Sequence, residues 1–260
     1  MPAALYVGDA DSIRRQKKIT RESTWIRFSR GAAHAGDCMA ADDPDLFGWG
    51  ALLEHLDEDR KFGFCLIPVG EVLKIRRRLA GRGFKFLARD AFIGTRDDVI
   101  EAIRPLTARP LPDGTRLVTP SDPETIAALQ RHITASGLPP RCGEMLVGLT
   151  VPGVTLGLID AAGQVIASAH ARLPHNKYSD HAEHAIIEQI AVAPKHRQQG
   201  IGQIMTARIA QEALSQLAAD SIYADINADD LPARVLLERA GLTIDGGLIC
   251  GEAIPGRLRF

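Results

Sequence analysis

The sequence predicts an α/β (α+β) protein in two units, a smaller α+β unit over residues 1–110 and a larger one over residues 111–260. Three observations carry that prediction. From Val118 to Ile254, strand-like and helix-like patterns follow in the order strand, helix, β-hairpin, strand, helix, strand, helix, strand. Around Ile103–Thr115, Pro105, Pro110, Pro112 and Gly114 fall within ten residues. Each proline fixes φ and removes a donor, so this stretch reads as a linker or a sharp corner. Finally, 260 residues with 45% hydrophobic and 24% charged content can bury a full core, which excludes a disordered or fibrous chain.

Taken in order, Ser12–Arg30 is basic and Asp37–Asp59 acidic. These read as two solvated faces that attract each other, the sharper alternative being a phosphate-docking arm. Phe62–Ile67 is a predicted strand, Gly70–Leu79 a basic amphipathic helix, Phe84–Ala88 another strand and Asp97–Ile103 a short helix. Beyond the seam, Val118–Pro120 is a short strand, and Asp122 and Pro123 open a helix over Thr125–Ser136. Val154–Ile159 and Gln164–Ala171 flank Asp160–Gly163 as a hairpin. A histidine-rich loop, Pro174–His184, leads into the strand AIIEQIAVAP and a long amphipathic helix with Ile201, Ile204, Met205, Ile209 and Leu217 on one face. Ser221–Ile226, Leu231–Ala240 and Leu248–Ile254 complete the order as strand, helix and strand.

Charge and composition exclude several function classes. With 31 basic against 32 acidic side chains the formal net charge is −1, and a nucleic-acid binder needs a basic surplus. Residues 1–110 hold 19 basic and 16 acidic groups and the remainder 12 and 16, too mild a contrast to assign partners. No apolar run approaches the ~18 residues of a membrane span. The start MPAALYVGDADS has no basic n-region and no apolar h-region, so no secretory signal is expected. Cys38, Cys65, Cys142 and Cys250 are scattered without a CxxC pair, which speaks against a zinc site or a disulfide framework. The expectation is a soluble, reduced, cytoplasmic protein with no metal. No internal repeat stands out.

The informative segment is Val192-Ala193-Pro194-Lys195-His196-Arg197-Gln198-Gln199-Gly200-Ile201-Gly202. A strand ends at a proline and a basic, glycine-containing turn opens a helix, whose first amides have no internal partners and carry partial positive charge. Gly200 and Gly202 let an anion approach the backbone, and Arg197 adds a formal charge. The segment is neither a P-loop, since no GKS or GKT follows, nor a dinucleotide fingerprint, since Met205 takes the third glycine's place.

Arg197-Gln198-Gln199-Gly200-Ile201-Gly202 resembles the R/Q-x-x-G-x-G/A pyrophosphate loop of the GNAT N-acetyltransferase superfamily. AIIEQIAVAP before it, and Asn227 followed by LLERAGL after it, extend the resemblance over roughly Leu117–Phe260. The resemblance implies a central, twisted mixed sheet with flanking helices, and acetyl-CoA as co-substrate. It implies that backbone groups of Ile190, Ala191 and Val192 pair with the pantetheine arm in a splay between two parallel strands. The amides from Gln198 through Gln199, Gly200 and Ile201 to Gly202 would wrap the pyrophosphate, flanked by Arg197, and Asn227 would touch the coenzyme. A primary amine would attack the thioester directly in a ternary complex. An unperturbed amine with a pKa of about 10.4 pays about 4.6 kcal/mol to be neutral at pH 7, so a positioned base matters. Glu188, two residues before Ile190 on the coenzyme strand, is the expected general base; a charge there is costly to bury unless paired with an Arg or His.

This sequence departs from the family at one catalytic point. The tyrosine that often protonates the departing thiolate is here Leu237, and Leu242 stands where an aromatic follows the glycine. Tyr178 in the histidine-rich loop, or a water, is the expected substitute and Tyr223 a weaker one. That loop is expected to overhang the acceptor, with Asp180 and Glu183 at its mouth. His181-Ala182-Glu183 mimics the H-x-E of zinc deaminases, but no P-C-x-x-C follows. The acceptor is expected to be a small-molecule amine before a protein one, and pairing of final strands leaves a homodimer open. The alternative function is a non-catalytic acyl-CoA-binding or sensing module. Gly70–Phe86 also faintly resembles the family's helix–Gly–Phe–strand ending, which makes residues 1–110 a candidate degenerate copy without the loop, although a substrate-recognition or dimerisation domain is the readier expectation.

Overall fold

The computed structural model describes residues 5–256. The first four residues, where the segment read for a leader begins, and the last four, which end the second expected unit, lie outside the described residues. In chain order the elements are α1 (Ala10–Phe28), β1 (Ala32–His34), β2 (Met39–Ala41), α2 (Pro44–Phe47), α3 (Trp49–Asp59), β3 (Phe62–Pro68), α4 (Val72–Ala80), β4 (Phe84–Thr95) and α5 (Arg96–Thr107). They continue as β5 (Arg116–Val118), α6 (Pro123–Ala135), α7 (Gly143–Leu146), β6 (Gly153–Ile159), β7 (Val165–Arg172), β8 (His184–Val192), α8 (Ile201–Gln216), β9 (Ser221–Ile226), α9 (Leu231–Arg239) and β10 (Thr243–Pro255).

Local chemistry accounts for the boundaries. Asp122 caps α6 by accepting the Glu124 and Thr125 amides at 2.9 Å, with Pro123 in the first turn where no donor is needed. Asp160 closes the β6–β7 hairpin through the amides of Ala162 and Gln164, and Gly163 adopts the left-handed φ of +78° that the turn requires. The proline-rich stretch 103–115 spans the last turns of α5, which contain Pro105, and the connection from α5 to β5. The basic segment Ser12–Arg30 is largely the helix α1, which sequence periodicity hides because its buried positions include Ser12, Gln16 and Lys18. The expected attraction between the two charged segments is a set of ion pairs: Lys18 Nζ lies 2.6 Å from Glu58 and 2.8 Å from Asp59, and Arg14 3.3 Å from Asp59.

All ten strands join one mixed sheet in the order β1-β2-β3-β10-β4-β9-β8-β7-β6-β5. Its middle is symmetric. β2 and β3 run parallel with α3 between them, as β8 and β9 run parallel with α8 between them. Each pair is followed by a helix, α4 or α9, and then by a strand that crosses to the other half: β4 pairs with β9, and β10 with β3. β4 and β10 pair with each other at the centre. The final strand thus pairs on both sides within the chain, with β3 over Leu248–Ala253 and with β4 over Thr243–Ile244 and Ile249–Pro255.

Two cores flank the sheet. Met205, Ile209, Ala210 and Leu214 of α8 pack on β6–β9 beside Val99 and Ile103 of α5. The other half is aromatic: Phe47, Phe62, Phe64 and Phe86 stack edge-to-face in a chain with ring centroids 5.3–5.6 Å apart.

Candidate functional site

The site begins where β8 and β9 part. Their parallel ladder ends at the pair Ile186–Tyr223, and beyond it a cavity of about 520 Å³ opens between the strands. Glu188 and Ile190 of β8 line it, with Tyr223 of β9, then Asn227, and Leu237 of α9. β8 is bulged here: Ser168 faces Ala191 and His170 faces Glu188, so Gln189 and Ile190 oppose the single residue Ala169. Gln189 takes a φ of +57°, and the Ser168 hydroxyl fixes the bulge by donating to its carbonyl at 3.0 Å.

Glu188 sits at the floor of this cavity in the grip of two arginines. Its Oε1 accepts from Arg141 Nε at 3.2 Å and Arg172 Nε at 3.1 Å, and its Oε2 from Arg141 Nη2 at 3.3 Å and Arg172 Nη2 at 3.2 Å. Burial alone would push the carboxyl up, but the Arg141 and Arg172 guanidiniums outweigh it and hold the group well below the usual carboxylate range. Arg172 also donates to the His34 carbonyl. Gly36 is obligatory beside this cluster: its φ is +89°, and a Cβ there would stand 2.5 Å from the Arg141 guanidinium carbon. His170, directly across from Glu188, donates or accepts at Thr155 and is driven by burial to a pKa of about 4, so it stands neutral.

The opposite wall comes from the N-terminal half. Lys61 bridges Asp37 at 3.1 Å and Glu252 at 3.4 Å, and Arg89 bridges Glu252 at 3.3 Å and Asp225 at 3.1 Å, a ladder of alternating charge along the cavity. Cys65 and Cys250 lie among these groups; both are free, and burial pushes the Cys65 thiol up to about 12, so it is inert at neutral pH.

The basic turn follows β8 as a single 3₁₀ turn, Pro194–His196, and then reverses through Gln198 and Gly200, with φ of +61° and +77°. Gly200 is the N-cap of α8 and supplies no side-chain cap, so the amides opening α8 keep their donors free. Nothing lies within 4 Å of where a Gly200 Cβ would be, and Arg197 Nε is tied to the Val192 carbonyl at 3.0 Å. Gly202 packs on Leu236, whose side chain lines the cavity. These residues fit a pyrophosphate followed by an extended arm: an open, uncapped 16-residue helix beside a fixed arginine, continuing into a cleft between strands.

The structure thus gathers Glu188, Ile190 and Asn227 around one cavity, and sets Ala191, Val192, Arg197, Gln198, Gln199, Gly200, Ile201 and Gly202 along the strand end and turn beyond it. Tyr178 is elsewhere. It is 46% exposed and lines a second cavity of about 390 Å³, together with Asp42, Asp43, Asp45 and Glu71. The histidine-rich loop does not hang over the first cavity as the sequence led us to expect. Asn176 clamps it to the N-terminal half by donating to the carbonyls of Ile26, Ser29 and Ala32 at 2.6–3.0 Å, and Ala33 and His175 form a β-bridge. Leu237 is buried in the cavity wall, so no hydroxyl stands at that point.

Sequence reasoning missed Arg141, Arg172, Lys61 and Arg89. Arg172 had a local signal, since the hairpin register places β7 against β8 and sets it two residues, and so on the same face, from His170, the partner of Glu188. The other three reach the cavity only through pairings distant in sequence, and carry no such signal.

A mixed sheet with this bulged strand, splay and helix start defines the acetyltransferase fold. It is shared with a solved GCN5-related N-acetyltransferase from Kribbella flavida (TM-score 0.58, 14% identity, covering 96% of this chain and 97% of that one) and with a solved Drosophila protein (TM-score 0.55, 17% identity, 94% and 88%). A tandem GNAT protein from the clavulanic acid biosynthesis pathway is also similar (TM-score 0.53, 14% identity, 83% and 74%). Residues 146–242 match the model of the acetyltransferase (GNAT) family, and the C-terminal part of this chain is a domain of that family, whose members transfer acyl groups from acetyl-CoA. A search of curated protein sequences finds no match.

Proposed function

We propose that the protein is an N-acetyltransferase that moves the acetyl group of acetyl-CoA to a primary amine by direct attack in a ternary complex. The observation that carries this is the cleft between β8 and β9, which opens at Ile186–Tyr223 and leads toward the uncapped, basic start of α8. Acetyl-CoA supplies the activated thioester. The amides opening α8 and Arg197 hold its pyrophosphate, and the edge of Ile190–Val192 that faces away from β7, beyond the β8–β9 ladder, lies along its pantetheine arm. The acceptor is a small-molecule amine before a protein one, since it has to enter the cavity between β8 and β9.

The cavity lining favours a cationic acceptor: Asp37, Glu188, Asp225, Asp230 and Glu252 give five carboxylates against four cations, Lys61, Arg89, Arg141 and Arg172. Two buried polar atoms of lining residues, Arg141 Nη1 and Gln189 Oε1, have no hydrogen-bond partner among the described residues. Glu188 acts through its charge. A carboxylate gripped by two guanidiniums accepts a proton poorly, since an effective base titrates near the working pH. It fixes Arg141 and Arg172 and offsets their charge.

Calorimetric titration with acetyl-CoA tests the reading. Saturable binding by the native protein, lost in an Arg197→Ala/Gly200→Asp variant, is the expected outcome; absence of binding by the native chain refutes it. The locked Glu188 and the leucine at 237 favour one second reading, a non-catalytic acyl-CoA-binding module. That reading predicts binding with no turnover across a panel of amines.

A further inference from the structure

Tyr223 is fully buried, and a buried phenol needs a partner. It finds His175, whose Nε2 lies 3.2 Å from the hydroxyl, and His175 Nδ1 in turn lies 2.8 Å from Asp42 Oδ2. The protonation pattern follows from donor and acceptor types. A carboxylate only accepts, so Nδ1 carries the proton; burial lowers the imidazole's affinity for a second one, so Nε2 is a free acceptor and the Tyr223 hydroxyl donates to it. Tyr223 lines the cavity between β8 and β9, whereas Asp42 lines the acidic second cavity. The chain of three side chains thus links a lining residue of one cavity to a lining residue of the other.

We propose that Tyr223, His175 and Asp42 form a proton relay, in which Tyr223 is the catalytic residue that takes the acceptor's proton, and His175, oriented by Asp42, carries it toward the second cavity. The inference rests on the acyltransferase reading and supplies the base that Glu188 does not. The step balances. The ammonium of the acceptor gives one proton to Tyr223 Oη as the phenol's own proton passes to His175 Nε2, and the Nδ1 proton is drawn toward Asp42 and leaves to solvent. The freed amine nitrogen then forms its C–N bond to the acetyl carbon as the C–S bond breaks, and its surplus proton goes to the departing sulfur. His175 and Asp42 are positioning residues. The groups that set the titration of His175 are Asp42, which raises it, and His181 and His184, whose rings follow in a row at 5.4 Å and 5.0 Å spacings and lower it. Around Tyr223 stand Cys65, Cys250, Arg172 and Asp225.

The test uses the full chain and two readouts. Long-range ¹H–¹⁵N spectra of histidine-labelled protein at pH 7 report the tautomer of His175: Nδ1–H with an unprotonated Nε2 is expected, and Tyr223→Phe moves the Nε2 resonance as its donor is removed. A charged ring or the opposite tautomer overturns the relay. In kinetics with acetyl-CoA and spermidine as the probe amine, Tyr223→Phe is expected to lose at least ~10²-fold in kcat while acetyl-CoA affinity holds. Asp42→Asn is expected to lose less and to move the acid limb of the pH profile downward, because the anion that raises His175 is gone. A Tyr223→Phe enzyme at full rate with an unchanged pH profile sinks the relay and leaves the acyltransferase reading intact. Failure of the native protein to bind acetyl-CoA refutes that reading instead, while the spectra still judge the hydrogen-bonded chain.

Discussion

Between β8 and β9 the parallel ladder runs for three residue pairs before the strands part, and between β2 and β3 it runs for two. Each pair encloses a helix, each is followed by a second helix, and each has a cavity at the point of parting, about 520 Å³ in one half and about 390 Å³ in the other. The turns that follow differ completely. After β8 come Lys195, His196 and Arg197 and a glycine cap; after β2 come Asp42, Asp43 and Asp45, with Asp43 spending its carboxylate on the Asp45 and Leu46 amides that an anion would need. The comparison teaches that topology supplies the cleft, and the turn chemistry decides whether a phosphate can enter it.

The largest way to break this contrast is at the ion cluster. Arg172→Met removes a buried guanidinium and leaves the half-buried Glu188 with one arginine, which is expected to cost about 3–5 kcal/mol in thermal or denaturant unfolding, part of which Arg172→Met/Glu188→Gln restores. Next is the turn. Gly200→Asp makes the second half resemble the first, adding charge and a disfavoured φ, and is expected to weaken acetyl-CoA binding about 10²-fold by calorimetry, or about 2.7 kcal/mol. Neutralising Asp45 in the other half should leave that affinity unchanged; a change there would erase the distinction.

Acidification tests the histidines. His34, His132, His170, His175 and His184 all have pKa values held below the usual 6.5, burial being the first cause in each. The unfolded chain therefore binds more protons than the native one below pH 6.5, so stability is full above that pH and is lost as the pH falls toward each native value. For His170, with a native value of about 4, the loss is on the order of 3 kcal/mol between pH 6.5 and 4. A thermal midpoint that stays flat from pH 7.5 to 5 contradicts this. The smallest effect belongs to the exposed pair Lys74–Asp45, where Lys74→Ala should leave the thermal midpoint unmoved.

Much of the C-terminal architecture was legible in the sequence because it is local. Asp122–Pro123, Asp160–Gly163 and the turn before α8 each declare themselves within a few residues. The N-terminal half was legible only in pieces: β3 and α4 show periodicity, whereas α1 buries polar side chains and β1 and β2 are three residues each. Of the site, the turn and Glu188 could be read, since a charge inside AIIEQIAV demands a partner. The partners themselves could not be named. Arg141 lies 47 residues away in a loop, and the relay spans 133 residues from Asp42 to His175 and 48 more to Tyr223. Pairing at such separations leaves no periodic mark. Tyr178 stands out in the sequence because it lies in a polar loop, and the clamp at Asn176 holds that loop against the N-terminal half.

The exchange of β4 and β10 bears on how the chain is made. On the ribosome β3 and β4 emerge early, but the strand that lies between them follows only after β9 and α9 have been synthesised. Until then each offers the nascent chain an unpatched hydrogen-bonding edge, the feature through which unfinished sheets stick to one another. The sheet is closed last between β3 and β4, as a zip is, and a strand interior to it is also its latest. Chaperone dependence during synthesis, with clean refolding of the finished chain from denaturant, is the behaviour that such an order of assembly produces.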